Sequence, residues 1–277
     1  MPVPIALRAA LLAAWGTAYL QDAASLELAV AEVERADEPH LWTSEPTASP
    51  DEIGEGLAEL KAVGVSALRL SLPAPGDPLG LTGPPETNLA VLAAGEAVVT
   101  VGHRVSPWSG ALHEERAMVP SVTAFGTPGD QGYCVTWRGM AAAATPPDVP
   151  ALGDADRALA AAMREATSAL TSLGQDTWRP STAQAAARLR GAGHDLRLPQ
   201  HVGPRADALV RRAIQVLAML EVARADDGDA VTAHRAHARS TSLAPLDRAA
   251  RRAIVAAVSP DHQYALRPSS APAFPPR

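Results

Sequence analysis

The residues best suited to ligand chemistry lie in and beside the stretch PAPGDPLGLTGPPETN, which runs from Pro73 to Asn88. Prolines fix φ there and glycines permit positive φ at the bends, so the loop can hold one shape at low entropic cost. Arg69, Asp77 and Glu86 could then anchor a neutral or cationic small molecule. The candidate ligand-binding residues are Arg69, Gly76, Asp77, Gly80, Thr82, Gly83 and Glu86.

This loop does not resemble a nucleotide site. The glycine spacing fits no dinucleotide fingerprint, and no lysine followed by serine or threonine completes a P-loop. Asp77 and Glu86 would also repel a phosphate. Two alternatives are a docking surface and a structural loop that only caps the edge of the sheet. The structural role is favoured, because long ordered loops are often but not always functional.

Histidine and cysteine offer weaker candidates. His234 and His237 are three residues apart on a predicted helix and could face one metal, but no third ligand completes the set and Arg235 would oppose a cation. Arg138 could lower the pKa of the Cys134 thiol, but no histidine is placed by the sequence as its base. We therefore predict no metal site and no cofactor.

A short acidic and basic run, HEER at residues 113–116, offers an acid, a base and a cation. Side chains that are adjacent in sequence diverge, so these residues need not converge on a substrate. The sequence contains no G-x-S-x-G, no H-E-x-x-H and no EF-hand loop. No catalytic residue is predicted, and enzymatic activity stays open but disfavoured.

Arginines of the second half raise the question of nucleic-acid binding. Acidic residues are interspersed among them and aromatic residues are absent from residues 205–258, whereas phosphate binding needs a concentrated positive field. A nucleic-acid partner is therefore disfavoured. The arginines are Arg205, Arg211, Arg212, Arg224, Arg235, Arg239, Arg248, Arg251 and Arg252.

The elements that position these residues follow from periodicity. Helices are expected at residues 5–19 and 23–35, a strand at 41–44, a helix capped by Asp51 that ends at Gly64, and a strand at 67–72. Strand, helix and strand would form a βαβ unit, and the loop would leave the carboxyl end of its second strand. Ligands bind at such ends in open α/β sheets.

Further along the chain, a helix is expected at residues 88–94 up to Gly95, then a strand in EAVVTVG and a hairpin over residues 119–140. Helices are expected at residues 155–173, 181–191, 205–224, 230–239 and 246–258. The predicted fold class is α+β, with a mixed sheet of four to five strands and helices, followed by an all-helical C-terminal bundle. The predicted units are an α/β module at 1–142, a proline-rich linker at 143–154, a helical module at 155–258 and a flexible tail at 259–277.

Composition and charge indicate the cellular location and the kind of partner to expect. One cysteine excludes an intramolecular disulfide, and the apolar opening is interrupted by Arg8 and too short to span a bilayer. We expect a cytoplasmic protein without a membrane partner. Residues 1–150 have seven basic and eighteen acidic residues, whereas residues 151–277 have seventeen and twelve. This asymmetry indicates either that the halves dock on each other or that the second half meets an acidic partner, although solvated arginines on helix faces are the simpler explanation.

Several segments together carry a family resemblance: LRLSLPAPGDPLGL, AGEAVV, VTWRG, ADDGDAVTAH and PLDRAARRAIVAAV. With them the chain resembles an uncharacterised protein family of high-GC actinobacteria over most of its length. The resemblance implies one evolutionary unit with a characteristic loop and a helical second half, and it implies no activity.

Three functional hypotheses follow. The first is a non-catalytic adaptor or regulator that acts through a protein partner or self-association. The second is a small-molecule binding protein or enzyme with its pocket between the loop at residues 73–88 and the helical half, whose arginines would act as lids. The third is nucleic-acid association through the arginine-bearing helices.

Overall fold

The computed structural model describes residues 5–35, 39–44, 49–81, 83–102, 115–127, 130–143, 148–172, 196–225 and 233–259. The helices within these ranges are α1 (Ile5–Leu20), α2 (Leu26–Glu34), α3 (Ile53–Ala62), α4 (Pro85–Ala94), α5 (Leu152–Ser172), α6 (Pro204–Ala225) and α7 (Ala233–Val258), with a 3-10 turn at Gln200–Val202. The strands are β1 (His40–Thr43), β2 (Asp51–Glu52), β3 (Val65–Ser71), β4 (Ala97–Gly102), β5 (Arg116–Thr127) and β6 (Asp130–Ala141).

The strands form one mixed sheet in the order β2-β1-β6-β5-β4-β3. β1 runs parallel to β6, and the other neighbouring pairs are antiparallel. The β5–β6 hairpin is in unbroken register from Arg116↔Ala141 to Thr127↔Asp130. The sheet is therefore built around this central hairpin.

Helix α1 lies at the centre of the molecule. Its side chains from Arg8 to Ala18 are all buried, which explains a sequence that is apolar around the whole circumference. Small residues let it approach β3 closely, since a Cβ added at Gly16 would lie 2.4 Å from Leu68 Cδ1. The sheet face that holds Leu68, Met118 and Trp137 belongs to the same core.

The opposite face of the sheet carries a smaller cluster beneath α4, which includes Val91, Val99 and Val119. Helix α7 packs against α5, α6, α1 and β3. Its residues Ala253–Val255 join the same hydrophobic cluster as α1 and the sheet. The two halves of the sequence therefore share one continuous core.

The class α+β is right, but the expected strand count of four to five is wrong because the sheet has six strands. The additional strand is β2, in which Asp51 pairs with Trp42. Asp51 was expected to cap a helix, but the residue before α3 is Glu52, which makes no side-chain cap hydrogen bond. A two-residue strand leaves no alternating pattern in a sequence, so periodicity could not reveal it.

The expected βαβ unit is also wrong. The two strands of that expected unit correspond to β1 and β3, which lie far apart in the sheet order, and β3 pairs antiparallel with β4. The rule that places ligands at the carboxyl ends of parallel strands therefore does not apply to the loop that follows β3. Local patterns identify strands, but the choice of neighbours depends on contacts between distant segments.

The second half is helical, with one difference from the expected elements. Two helices were expected at 230–239 and 246–258, but α7 is a single helix that continues through Pro245. Proline removes one backbone donor, and the burial of Leu243 before it and Ile254 after it stabilises the continuous helix. The helix expected at 181–191 and the tail beyond Ser259 lie outside the described residues.

The outer edge of β3 is covered by side chains from the helices. Leu68 N donates to Thr17 Oγ1 at 2.9 Å, and the same hydroxyl donates to Leu68 O at 3.2 Å. Leu70 N donates to Ser259 Oγ at 3.1 Å. Arg251 Nη1 donates to Leu72 O at 2.7 Å, just beyond the strand. Helices α1 and α7 thus satisfy backbone groups that an edge strand would otherwise expose.

Candidate functional site

The loop after β3 is built from two tight turns. Ala74 and Asp77 exchange backbone hydrogen bonds of 3.0 and 2.8 Å around Pro75 and Gly76, and Gly76 has φ +77°. Proline followed by a glycine with positive φ is typical of a type II turn. A second turn closes with Leu81 N donating to Pro78 O at 2.7 Å. The alternation of proline and glycine in the sequence is what these turns require.

The first turn directs Asp77 into a group of arginines on α7. Asp77 is only 3% exposed. Arg252 Nη2 donates to Asp77 Oδ1 at 3.0 Å, and Arg251 Nη2 lies 3.0 Å from Oδ2. The second contact is an ion pair by distance, although Oδ2 accepts no hydrogen bond. Arg248 adds a longer contact of 3.6 Å to Oδ2 and donates to Gly76 O at 2.7 Å.

The charges in this cluster balance. Asp247 binds Arg251 at 2.9 Å and Asp148 binds Arg252 at 3.0 Å, so three carboxylates face three guanidinium groups. Burial alone would lower the pKa of Arg252, but its hydrogen bonds to Asp77 and Asp148, together with their charges, outweigh burial and raise it. The cluster is therefore a neutral link between the loop and α7, with little remaining field to attract a charged ligand.

Beside the loop, the described residues form a cleft of about 10 Å³ that is lined in part by Ser71, Gly80, Thr87 and Val99. A single water molecule needs roughly 10–15 Å³ of such space. The cleft is small because Ser71 Oγ donates to Leu79 O at 3.0 Å and holds the loop against the sheet. This space does not accommodate a metabolite.

Arg69 lies on the face of the sheet opposite α1. It is 4% exposed, and its Nε and Nη2 atoms make no hydrogen bond. Glu115 is its one charged neighbour among the described residues, with Oε2 at 4.0 Å from Nη2. Burial lowers the pKa of Arg69, and the charge of Glu115 offsets part of that change. A buried guanidinium with unused donors is a feature that needs a physical reason.

The structure gives the predicted ligand-binding residues different partners. Asp77 and Gly76 contact α7, whereas Arg69 contacts Glu115. Gly80 lies against Ser71, with 3.1 Å between an added Cβ and the serine backbone, and Glu86 is exposed in the first turn of α4. Gly83 N donates to Asn88 Oδ1 at 2.9 Å. Thr82 lies outside the described residues, so a ligand site formed by the whole set stays a prediction.

The other sequence candidates are Cys134 and three histidines. Cys134 lies in β6 opposite Thr123 and is half-buried. His113 and the side chains of His234 and His237 lie outside the described part of the chain. Among the side chains that are described, no group of three or more His, Cys, Asp or Glu residues could hold a metal ion. Within the same ranges, no helix is long and apolar enough to cross a membrane.

Six of the nine arginines considered for nucleic-acid binding form ion pairs within the chain. Besides the three at Asp77, Arg211 pairs with Asp207 at 2.8 Å, and Asp156 accepts from Arg212 at 2.9 Å and lies 3.6 Å from Arg205. The side chains of the other three are not described. Pairing with carboxylates reduces the positive field that would bind a phosphate backbone.

The outer half of the β5–β6 hairpin extends beyond the strands that flank it. β4 pairs with β5 only at Ala117 and Met118, and β1 pairs with β6 only over residues 135–138. Residues 121–127 and 130–134, which we call the ribbon, therefore have no neighbouring strand among the described elements. Residues 121–127 are all exposed and span about 20 Å at the usual rise per residue.

The ribbon carries apolar side chains and few charges. Val122 is 42% exposed and Phe125 is 52% exposed, and Asp130 is the one charged residue in either strand of the ribbon. Phe125 lies over Gly132, where an added Cβ would come within 2.4 Å of the ring. The sequence predicts this hairpin but not its projection beyond the sheet, because projection depends on where β4 and β1 end.

Comparison with known proteins gives the family of the chain but no activity. No curated protein and no solved structure matches it. Residues 9–151 match the model of the Rv1486c-like protein N-terminal domain, and residues 153–255 match that of the Rv1486c-like protein C-terminal domain. The two matches meet where α5 begins, and neither description names a ligand or a reaction. Because the N-terminal match alone covers more than half of the sequence, the chain belongs to the Rv1486c-like protein family.

Proposed function

We propose that this protein is a non-catalytic adaptor or regulator that acts through protein–protein contacts made by the ribbon. The observation that carries the proposal is the exposure of Val122 and Phe125 on a two-stranded ribbon with open edges. Isolated two-stranded hairpins are marginally stable in water, so a ribbon of this length gains from a covering partner. Edge strands are also a common site for adding a strand from another chain.

The rest of the molecule supports a contact function over a catalytic one. Asp77, the polar residue at the centre of the loop, is engaged with three arginines of α7. The adjacent cleft holds about one water molecule. Neither feature supplies the pocket with convergent polar groups that substrate binding requires.

Site-specific photo-cross-linking in cells tests this proposal. The photoreactive amino acid p-benzoylphenylalanine replaces Thr123 in the ribbon or Ser168 on the exposed face of α5, both of which are solvent-exposed positions. We expect irradiation to give one defined covalent protein adduct from position 123 and none from position 168. Adding Val122→Asp should lower the yield from position 123, because a carboxylate beside the open edge costs desolvation when a partner strand covers that edge.

Two results would contradict the proposal. One is the absence of any adduct from position 123, or the same adducts from both positions. The other is an adduct whose yield does not change with Val122→Asp, since a contact through the ribbon must respond to a charge at an exposed ribbon residue.

A second candidate, a small-molecule binding protein with its site near the loop at residues 73–88, has one observation in its favour. Arg69 is buried with donors that bind nothing, and an acceptor on a ligand could satisfy them. A thermal-shift screen against a metabolite panel tests it, because a ligand of the native state raises the melting temperature. A genuine ligand should stabilise the wild-type protein and fail to stabilise Arg69→Met. No hit in the panel, or an equal shift in the variant, would remove Arg69 as the anchor.

A further inference from the structure

The open edge of β5 offers a self-complementary surface, and we infer that it pairs with β5 of a second copy of this chain. This inference rests on the proposed function and names the partner at the same ribbon. The two strands would run antiparallel about a two-fold axis at Ala124, so that two hairpins form one continuous four-stranded sheet. Such an isologous contact presents the same surface from both subunits.

The direction of the backbone groups follows from one hydrogen bond. Val135 N donates to Pro39 O at 3.0 Å, so the backbone groups of Val135 point away from β5. In an antiparallel pair, residues alternate between bonding to the partner strand and pointing outward. The backbone groups of Val122, which is opposite Val135, must therefore point away from β6, and so must those of Ala124. Gly126 continues the same register opposite Gln131, with φ +91°. Among the described residues, none pairs with the N–H and C=O groups that these three residues place along the open edge.

The open edge begins after Pro120. This residue is two positions before Val122, so its backbone groups also point away from β6, and it has no N–H to donate. β5 pairs with β4 up to Met118, and Pro120 separates that pairing from the open segment. Proline at an outward position of an edge strand is the usual arrangement, because the ladder to the other neighbour is unaffected. The available edge is therefore a defined segment of seven residues, 121–127.

Side-chain sizes fit pairing of this segment with itself. With Ala124 opposite Ala124 of the partner subunit, Val122 lies opposite Gly126 of the partner subunit, and Thr123 lies opposite Phe125 of the partner subunit. Each larger side chain thus faces a smaller one. The outward groups of the three residues in each strand would form about six inter-chain hydrogen bonds.

Charge also favours a second copy as the occupant. A two-fold axis brings a charged side chain close to the same side chain of the partner subunit. Like charges directly opposite each other destabilise a pair of strands. Residues 121–127 contain no charged side chain, so this cost does not arise. Natural edge strands that avoid pairing commonly carry a lysine or another charge, and this edge carries none.

A charge-swap experiment on the full chain tests the inference. Ala124 is exposed, so Ala124→Lys and Ala124→Glu leave the core intact and place like charges opposite each other at the axis. By analytical ultracentrifugation we expect the wild-type protein to dimerise and each variant alone to dissociate about tenfold more readily or worse. An equimolar mixture of the two variants should restore the dimer, because opposite charges then meet. Ala93→Lys, an equal change on the exposed face of α4, should dimerise like the wild type.

The outcomes separate this inference from the proposed function. A monomeric wild-type protein at all concentrations, or variants that dimerise as the wild type does, would overturn pairing through β5. If ultracentrifugation gives a monomer while position 123 cross-links to a different polypeptide, the adaptor function stands and the second copy is excluded. If there is neither a dimer nor an adduct, both proposals fail. Far-ultraviolet circular dichroism spectra of both Ala124 variants must match that of the wild type, which excludes misfolding as the cause of dissociation; a lower melting temperature is expected, because a variant that dissociates loses the stabilisation that dimerisation gives.

Discussion

Removing the charge of Asp77 should loosen the attachment of the loop to α7. Asp77→Asn keeps the shape of the side chain but leaves Arg251 and Arg252 facing a neutral amide. Removing one partner of a buried ion pair costs about 3–5 kcal/mol. Arg251 keeps Asp247 and Leu72 O, which reduces the loss. Within the described part of the chain, the acid that remains for Arg252 is Asp148, whose side chain is 84% exposed and contributes little. We therefore expect a loss of about 2–3 kcal/mol.

Urea unfolding, followed by circular dichroism and tryptophan fluorescence, measures this change. A loss of that size corresponds to a fall of about 4–12 °C in melting temperature for a chain of this size. Glu86→Gln is the matched control, because it makes the same chemical change at an exposed residue 9 positions along the chain and should alter stability by less than about 0.5 kcal/mol. Equal stability of the two variants would refute the view that Asp77 links the halves.

Two further substitutions probe buried polar groups. Arg69→Met should change stability by less than about 2 kcal/mol in urea unfolding, because removing a buried charge with unused donors offsets the loss of its ion pair with Glu115; a larger loss would mean that Arg69 has partners that stabilise it. Thr17→Val should cost about 2–3 kcal/mol and speed amide exchange at Leu68, because both backbone groups of Leu68 lose their partner. Thr167→Val, at an exposed hydroxyl on α5, should have little effect, and an equal loss in both threonine variants would contradict a special role for Thr17.

Much of the fold could be predicted because the relevant signals are local. The apolar run of α1, the glycine at the end of α4 and the β5–β6 hairpin each depend on residues that are close in sequence. Pairing of β1 with β6 and of β3 with β4 depends on segments that are far apart, and no pattern within a strand encodes its neighbour. For the same reason, the continuation of α7 through Pro245 depends on burial that the helix acquires only in the folded protein.

Prediction of the candidate site from the sequence is limited in a similar way. Asp77 and Glu86 are both acidic residues of one loop, and nothing in the sequence distinguishes them. In the folded chain, Asp77 is buried against three arginines whereas Glu86 faces solvent. The opposite net charges of the two halves left a contact between them as one alternative beside solvated arginines, and the ion pair of Asp77 with Arg252 is such a contact. Which acid meets which arginine is decided by the turn at Gly76, which is a property of the backbone.

The contrast between the two kinds of edge in this sheet is the strongest argument that the ribbon is used. At β3, Thr17 and Ser259 satisfy the outward amides of Leu68 and Leu70. At the other side of the sheet, β2 is only two residues long and presents little edge. Proteins usually cover, shorten or charge their edges, because an open edge recruits other chains. Along residues 121–127 the described structure does none of these things, so the open edge of the ribbon is best explained as a surface that another strand covers.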